Sequence, residues 1–486
     1  RCQETGRRGA GMIVDVLLGP PGCGKSTAMR EAAIKNPGLY LFALPTMALI
    51  EEQAAAFRAE APALDITEAH SDSPGKGKVQ VKLDAAVERI VDAGIEHAVI
   101  LITHEGLMGS DLTAMAGWHA RIDEAPIAVQ SGTIKTPAST ALLNEAIALD
   151  PVGQSGWSEA RLVMDAPGWR DLASDELLKP LAELFKLTRR HHGVFVDRTE
   201  WKKDFGWCSV WLPTALAHFA SCQFAGASYL TSLGAVVAKK LLGDDLTFRI
   251  KTLPAYRTAL PTIRIHYFTQ AHEGTSKLWS TSRGRSFIVP ICDFLREVDP
   301  PIGFWSGNNE VAVLMDHRVP GGPIKPKVAG LNEWRDKTSC AFIYSSKPMP
   351  GDEPLKELFG LTDDEIRRSR EDEDVIQFVM RGAIRNPDFG GDYDIYLYSK
   401  RQAETLVAKL AGSGVGQSVT LVPQGGPGVM DKTINSAKPI SDALKAEQAA
   451  DRKRRNAESA KRVRMKKALA AGRAVGKPGR PPKKDA

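Results

Sequence analysis

The sequence has no apolar run approaching the roughly twenty residues that a membrane-spanning helix requires. Its N-terminus lacks the pattern of a secretory signal peptide, and one interpretation of residues 1–11, which precede Met12, is an artefact of the translation start. Cysteine is scarce, with 6 in 486 residues and neither a C-x-x-C pair nor histidine at metal-ligand spacing. These absences predict a cytoplasmic protein without membrane contact or structural zinc. Its ordinary apolar and charged fractions exclude a fibre and a disordered chain.

Excess positive charge is missing from most of the chain and is confined to its end. Residues 438–486 contain 16 Lys and Arg against 5 Asp and Glu, a net charge of +11. Because the whole chain carries +6, the remainder carries −5. A basic arm on a mildly acidic body is typical of proteins that bind a polyanion. The sequence therefore predicts a partly disordered, nucleic-acid-binding tail at 442–486.

The tail has its own candidate motif, Gly479-Arg480-Pro481, with lysines on both sides. It resembles an AT-hook, an extended basic arm that lies in the narrow minor groove of A·T-rich DNA, and Arg480 is the residue that would enter the groove. The match is imperfect, because Pro478 stands where an arginine is usual. Salt-dependent binding to phosphates without sequence preference is the interpretation that we favour.

A phosphate-binding loop is the clearest positive signal in the sequence. The β-branched run 12–18 is followed by Gly-Pro-Pro-Gly-Cys-Gly-Lys-Ser-Thr and then by a helix-forming stretch, which matches G-x-x-x-x-G-K-[ST] in its required context. Glycines let the backbone form a concave nest of N–H groups around phosphate, Lys25 would reach the β and γ phosphates, and Ser26 would ligate Mg²⁺. A plain glycine-rich turn is the alternative. The predicted nucleotide-binding residues are Gly19, Pro20, Pro21, Gly22, Cys23, Gly24, Lys25, Ser26 and Thr27.

Further strand-like runs alternate with helical stretches, which predicts an α/β fold with a parallel sheet and a ligand site along its carboxyl edge. The apolar runs at 39–44, 97–107 and 118–126 end in polar residues. The last of them ends in Asp123-Glu124. Asp123 would hold Mg²⁺ through water and Glu124 would activate the attacking water, although adjacent acids are also common on protein surfaces.

The rest of the chain is divided by its composition. Residues 133–215 lose the strand and helix alternation and are rich in Trp, which predicts an inserted, mostly helical subdomain within a first lobe at 12–240. Strand-like and helical runs resume in a second lobe at 255–405. A Gly-, Pro- and Ser-rich linker is predicted at 406–441.

A helix of the second lobe carries Gln377, Arg381 and Arg385 at intervals of four residues, which puts the three side chains on one helical face. A glutamine and two arginines facing a cleft can sense the γ-phosphate and stabilise its charge in the transition state. The alternative is a solvated, salt-bridged stripe beside the acidic run 371–374.

Together these motifs resemble those of superfamily 2 helicases of the DEAD/DEAH-box type, especially the divergent versions found in bacteriophages. The resemblance covers about residues 12–400. GPPGCGKST matches motif I, PTMALIEEQ motif Ia, ITHEGL motif Ib and DEAP motif II; GASYLTS stands at motif III, GLNEWRD resembles motif V, and Gln377 to Arg385 resembles motif VI. Motif III lacks the usual Ser-Ala-Thr, and Arg385 comes eight residues after the glutamine where the family has seven.

The resemblance implies two RecA-like lobes that close on ATP and Mg²⁺, with single-stranded nucleic acid across both. Thr46, Thr103 and His104 stand at positions that would face its backbone, although each also fits a cap or turn. The predicted function is an ATP-driven helicase or translocase, on DNA in preference to RNA, serving phage or plasmid DNA metabolism. One alternative is a DNA-packaging motor similar to a terminase large subunit. The other is a DNA-binding protein whose binding is switched by nucleotide. The first would need clustered acids after the ATPase, and the second has no need of a base such as Glu124.

Overall fold

The computed structural model describes residues 11–71, 79–135, 141–152, 156–190, 193–198, 204–254, 256–270, 272–326, 333–412, 414–415 and 418–424. The strands are β1 (Met12–Leu18), β2 (Leu39–Leu44), β3 (Asp65–Ala69), β4 (Ala98–Thr103), β5 (His119–Asp123), β6 (Val129–Lys135), β7 (Ile147–Val152), β8 (Trp157–Leu162), β9 (Gly193–Val196), β10 (Asp204–Val210), β11 (Ser221–Ala225), β12 (Leu246–Thr252), β13 (Thr262–Thr269), β14 (Phe304–Gly307), β15 (Gly322–Pro323), β16 (Ser339–Ile343), β17 (Asp392–Ser399) and β18 (Val419–Pro423). The helices are α1 (Lys25–Lys35), α2 (Met47–Glu60), α3 (Val79–Asp92), α4 (His104–Gly109), α5 (Ala141–Ala146), α6 (Trp169–Ser174), α7 (Ala182–Thr188), α8 (Leu233–Leu242), α9 (Ser276–Trp279), α10 (Ser282–Glu297), α11 (Asn309–Met315), α12 (Glu353–Phe359), α13 (Asp363–Ser369), α14 (Glu371–Val379) and α15 (Lys400–Gly412).

The first lobe is built on a parallel seven-stranded sheet with the order β12-β1-β11-β5-β2-β4-β3. Its inner strands β2 and β4 are apolar on both faces, as strands of a parallel sheet covered by helices require. In β2, Leu41 and Ala43 pack on one face with α3 and α8, while Phe42 packs on the other with α1 and α2. This order brings the carboxyl ends of β1 and β5 to the same edge, separated only by β11.

The first lobe extends beyond its predicted end at residue 240. Strand β12 pairs with β1 along its whole length, from Met12 opposite Leu246 to Leu18 opposite Thr252. The sequence of β12 is polar on alternate positions because this strand lies at the edge of the sheet, where one side is open to solvent.

The inserted subdomain is not mostly helical, so that prediction was wrong. An antiparallel five-stranded sheet, order β6-β10-β9-β8-β7, forms its centre, with short helices α5, α6 and α7 beside it. Both faces of β10 are covered: Phe205 and Trp207 pack against one apolar cluster, and Cys208 and Val210 against another. Because β10 is buried on both faces, it shows no alternation of apolar and polar residues and lacks the period-two pattern that predicts a strand. We call β6–β10 the insertion sheet.

The second lobe contains a parallel six-stranded sheet with the order β15-β14-β16-β17-β13-β18. Together the two parallel sheets give the predicted α/β fold of two RecA-like lobes. The predicted linker at 406–441 was wrong at its start, because α15 runs to Gly412 and β18 pairs with β13 from Val419 to Pro423. Strand β18 is a five-residue edge strand between Gly-rich segments. Such a short apolar run is too weak a signal to predict a strand where the neighbouring residues are typical of a loop.

The helix predicted to carry Gln377, Arg381 and Arg385 ends earlier, at Val379. The hydroxyl of Tyr393 donates a hydrogen bond of 3.0 Å to the carbonyl oxygen of Val379. The N–H of Ala383, which would bind that carbonyl in a longer helix, donates instead to the carbonyl of Lys337 at 2.8 Å. The three residues therefore do not share one helical face: Gln377 lies on α14, Arg381 in the turn after it, and Arg385 in a short 3₁₀ turn.

The predicted basic tail at 442–486, with Arg480, lies outside the described residues, as do residues 330–332 of the motif V match. In the described ranges, no helix has both the length and the apolar character that crossing a membrane demands.

Candidate active site

The phosphate-binding loop connects β1 to α1 and is already folded as a nest. Gly22 and Gly24 have φ of +83° and +86°, the left-handed region that glycine enters without steric penalty. No side chain caps α1, so the N–H groups of its first turn are open to an anion. Lys25 is 7 % exposed, and its Nζ donates to the carbonyl oxygens of Gly19 at 2.8 Å and Pro20 at 2.9 Å. The loop therefore holds its lysine where a phosphate could replace two carbonyls as the acceptor.

The two predicted Mg²⁺ residues lie together. Ser26 Oγ donates a hydrogen bond of 2.6 Å to Asp123 Oδ2 at the carboxyl end of β5. Asp123 is buried, and its backbone carbonyl is hydrogen-bonded to Nε2 of His104 at 2.8 Å. A hydroxyl and a carboxylate are the hard oxygen ligands that suit Mg²⁺, so these two residues fit the predicted metal.

Glu124 has the environment of a general base. Desolvation in the cleft raises its pKa to about 7, and the negative charges of Asp123 and Glu373 act in the same direction, while Lys25 and Arg385 oppose them. Its φ is +66°, a strained conformation for a residue with a side chain. The N–H of Glu124 donates to the carbonyl of Ala225 at 2.7 Å, which fixes this turn to the neighbouring strand β11. Desolvation also raises the pKa of Asp123.

The second lobe completes the cleft. A cavity of about 550 Å³ is lined by loop residues from Pro21 to Thr27, by both acids of the pair, and by Gln377, Arg381 and Arg385. The predicted residues Gly19, Pro20 and Cys23 do not line this cavity. The structure thus brings together all four predicted catalytic residues although they lie on four different local structures.

Arg381 is a buried cation without full hydrogen bonding. It is 7 % exposed, and its Nη1 has no hydrogen-bond partner among the residues that the structure describes. Burial lowers the pKa of Arg381 to about 10, and the charge of Arg385 acts in the same direction. A buried, unsatisfied guanidinium N–H is costly, so its presence at a cleft points to an anionic ligand that would bind it.

Arg385 reaches the phosphate-binding loop itself. An ideal Cβ built on Gly22 would lie 2.9 Å from Arg385 Cγ and 3.3 Å from its Nε. Burial lowers the pKa of Arg385, as does Arg335, while Glu52 and Glu124 raise it. Arg385 is therefore positioned over the loop in spite of the eight-residue spacing from Gln377.

The three residues proposed to face nucleic acid have structural roles in the described chain. Thr46 caps α2 by accepting a hydrogen bond of 3.3 Å from the N–H of Leu49, and Thr103 caps α4 by accepting one of 3.1 Å from Gly106. His104 is buried against Asp123, and burial lowers its pKa to about 4. Thr46 and His104 also line a second cavity of about 560 Å³ between the lobes. Contact of these residues with nucleic acid stays a prediction.

Two residues of the cleft were missed by sequence reasoning. Glu373 accepts a hydrogen bond of 2.9 Å from Gln377 Nε2 and raises the pKa of Glu124. Glu373 lines the second cavity, whereas Arg335 lines the cavity that the phosphate-binding loop also lines. The spacing of four between Glu373 and Gln377 was a usable signal, since such pairs meet on a helix. Arg335 stands in the GLNEWRD match to motif V, which was a usable signal, and the fold brings it to the cleft from a loop before β16.

No model of a protein family and no curated protein sequence matches the chain. Among solved structures it is similar to an XPD helicase, at 12 % identity over 85 % of this chain and 96 % of that one, with a TM-score of 0.46. It is also similar to S. tokodaii Xpd4, at 13 % identity over 84 % and 95 % with a TM-score of 0.41. A variant of S. cerevisiae Dbp5 bound to RNA and ADP-beryllium fluoride gives 12 % identity over 87 % and 88 %, with a TM-score of 0.37.

The chain has two parallel sheets, and the phosphate-binding loop of the first lobe lines one cleft together with Gln377, Arg381 and Arg385 of the second lobe. The bacteriophage type stays a prediction.

Proposed function

We propose that the protein hydrolyses MgATP between its two lobes and uses the reaction to move along, or to separate, strands of nucleic acid. One observation carries the proposal: groups for binding phosphate, for holding Mg²⁺, for activating water and for stabilising transition-state charge all line one cavity. On the first lobe these are Lys25, Ser26, Asp123 and Glu124. On the second they are Gln377, Arg381 and Arg385.

Each residue has a distinct role in the proposed reaction. The loop amides and Lys25 would bind the β and γ phosphates, and Ser26 and Asp123 would hold Mg²⁺, which would supply positive charge to offset that of the phosphates. Glu124 accepts a proton from the water that attacks the γ-phosphorus, while the bond from phosphorus to the ADP oxygen breaks. Arg381 and Arg385 stabilise the charge on the transferred phosphoryl group, and Gln377 orients the water.

The other two candidate functions have less support. A nucleotide-switched binding protein needs no base, whereas Glu124 has a pKa raised to about 7, close to the operating pH that favours general-base catalysis. A packaging motor needs a nuclease site, and in the described residues no group of three or more His, Cys, Asp or Glu side chains is arranged to hold a metal. The preference for DNA rests on the positive charge of the tail. Because DNA and RNA both carry phosphate charge, only an experiment distinguishes the two.

The test is the rate of ATP hydrolysis alone and with single-stranded DNA, double-stranded DNA or RNA, followed by strand displacement on the best activator. Lys25→Ala should abolish turnover while the isolated tail still binds DNA. Lys35→Ala, a change of an exposed lysine at the other end of α1, is the matched control and should leave turnover unchanged. Equal turnover in wild type and Lys25→Ala excludes both motor functions, and activation without strand displacement favours a translocase.

A further inference from the structure

Arginines of the second lobe can act on a nucleotide held by the first only if the two lobes are kept at the right distance. The contact of Arg385 with Gly22 lies inside the cleft and is small. A larger contact between the lobes lies outside it. It is made by residues 350–369, which include α12 and α13, and which we call the docking segment.

The docking segment belongs to the second lobe by its place in the chain but packs on the first. Gly206 of β10 lets Pro354 approach, since a Cβ on that glycine would lie 3.2 Å from Pro354 Cγ. The rings of Phe359 and Phe195 meet edge to face with centroids 6.1 Å apart. One apolar cluster joins the insertion sheet, α8 and the docking segment, and its buried members are Val129, Trp157, Cys208, Val210, Leu233, Val237, Leu355, Phe359, Leu361 and Ile366.

Asp352 is the polar centre of this contact. It is 3 % exposed and receives two hydrogen bonds from Arg370, Nη1 at 2.8 Å and Nη2 at 2.7 Å. Ser131 of β6 donates to the same carboxylate at 3.0 Å. These partners, with the N–H of Met349 at 2.8 Å, hold the pKa of Asp352 below its usual value against the effect of burial. Asp352 thus joins the insertion sheet to Arg370 by charge-assisted hydrogen bonds, which are the strong ones.

Arg370 stands at the start of α14, the helix that carries Gln377 and leads directly into Arg381. The preceding residue, Ser369, is also tied to the first lobe, because its Oγ accepts a hydrogen bond of 2.9 Å from the N–H of Leu233. Displacement of Arg370 would therefore move α14 as a rigid element, and its far end would shift with it. Catalytic geometry tolerates little of this, since a misplacement of about 1 Å can cost about a hundredfold in rate.

We propose that Asp352 is a positioning residue for the ATPase reaction: by joining Ser131 of the insertion sheet to Arg370, it holds α14 so that Gln377 and Arg381 meet the γ-phosphate. The insertion sheet then holds the two lobes at a fixed distance. Displacement of this sheet would move α14 and lower the rate of hydrolysis. This inference rests on the function proposed above.

The test is Asp352→Asn, which keeps the shape of the side chain and removes the charge that binds Arg370. Asp394→Asn is the matched control, because Asp394 is equally buried in the second lobe and is likewise bound by two N–H groups of an arginine, Arg264, but lies on β17 away from the cleft. Both variants should lose stability. Only Asp352→Asn should lower kcat per nucleotide-binding site, by about tenfold or more, which is part of what an arginine finger contributes.

The affinity for MgADP separates positioning from general damage. MgADP lacks the γ-phosphate that Arg381 would meet, so its dissociation constant should stay within about twofold of wild type in both variants. Ser131→Ala, a milder change within the insertion sheet, should lower kcat by about threefold. If Asp352→Asn does not fold, this variant tests the positioning role of Asp352 in its place. Unchanged kcat in these variants, or an equal loss in Asp394→Asn, overturns the inference alone. A wild-type chain without ATPase activity overturns it together with the proposed function.

Discussion

Arg385 of the second lobe lies directly over Gly22 of the phosphate-binding loop, with its Cγ 2.9 Å from the position that a Cβ on Gly22 would occupy. The two residues are separated by most of the chain, and each belongs to a different lobe. Their contact brings a guanidinium to the place where the loop would hold phosphate. It also means that the absence of a side chain at residue 22 matters for two reasons, backbone conformation and space.

Gly22→Ala should abolish ATP turnover, because the new methyl group would displace Arg385 as well as strain the loop. Gly117→Ala is a control for the strain alone: Gly117 has the same φ of +83°, and no atom lies within 4 Å of its Cβ position. Both variants should lose about 1 kcal/mol of unfolding free energy, measured by denaturant titration. ATPase activity should fall only in Gly22→Ala, and an active Gly22→Ala would contradict the position of Arg385.

The rate of hydrolysis should rise with pH through about 7 and then level off, because Glu124 accepts a proton only when ionised and its pKa is raised to about 7. Glu124→Gln should bind MgATP and hydrolyse it at least about a hundredfold more slowly. A pH–rate profile of wild type against the surface variant Glu88→Gln checks the assignment. A flat profile between pH 6 and pH 8 in both would mean that another group takes the proton.

The same raised pKa predicts a change in stability. Between about pH 4.5 and about pH 7 the folded state binds the Glu124 proton more tightly than the unfolded state, so the free energy of unfolding falls as the pH rises through this window. Glu124→Gln removes this loss and should be more stable than wild type at pH 8 by about 3 kcal/mol, with a smaller difference at pH 4. Thermal unfolding at the two pH values measures it, and a less stable variant at pH 8 would show that the carboxylate is stabilised by its neighbours.

Arg381→Met should separate stability from activity. The guanidinium is buried with Nη1 unpartnered, so a thioether of similar length should raise the free energy of unfolding by about 1 kcal/mol. The kcat should fall by about a thousandfold, the effect expected for an arginine that stabilises transition-state charge. Arg264→Met provides the contrast, since that arginine is paired with Asp394 and its loss should destabilise the fold without changing kcat.

Deletion of 438–486 should weaken DNA binding most at low salt, because the segment carries a net charge of +11. The plot of log binding constant against log salt concentration should become shallower by about five units or more. ATP hydrolysis without nucleic acid should be unchanged, since the proposed catalytic residues all precede the deletion. An unaltered salt slope would assign the tail another role.

Much of the site could be predicted from the sequence because its chemistry is local. The loop from Gly19 to Thr27 is a contiguous motif whose glycine spacing is typical of a phosphate-binding backbone. Asp123 and Glu124 stand at the end of a recognisable strand. Parallel strands buried on both faces are continuous apolar runs, so β1 and β2 could be predicted with their observed bounds. The order of motifs along the chain was enough to predict two α/β lobes.

Other features depend on contacts that no local pattern contains. The helix α14 stops at Val379 because Tyr393 and Lys337, from elsewhere in the second lobe, take the hydrogen bonds that would extend it. The insertion sheet was predicted as helix because a strand such as β10, DFGWCSV, has neither the continuous apolar run of β2 nor a regular alternation, and the residues that cover its two faces come from distant parts of the chain. The sequence by itself determined which residues can bind phosphate and transfer a proton, since that ability belongs to the side chains and their immediate neighbours. Only the tertiary structure decided that Arg381, Arg385 and Arg335 share their cleft, and that Asp352 joins the lobes, because long-range packing sets those distances.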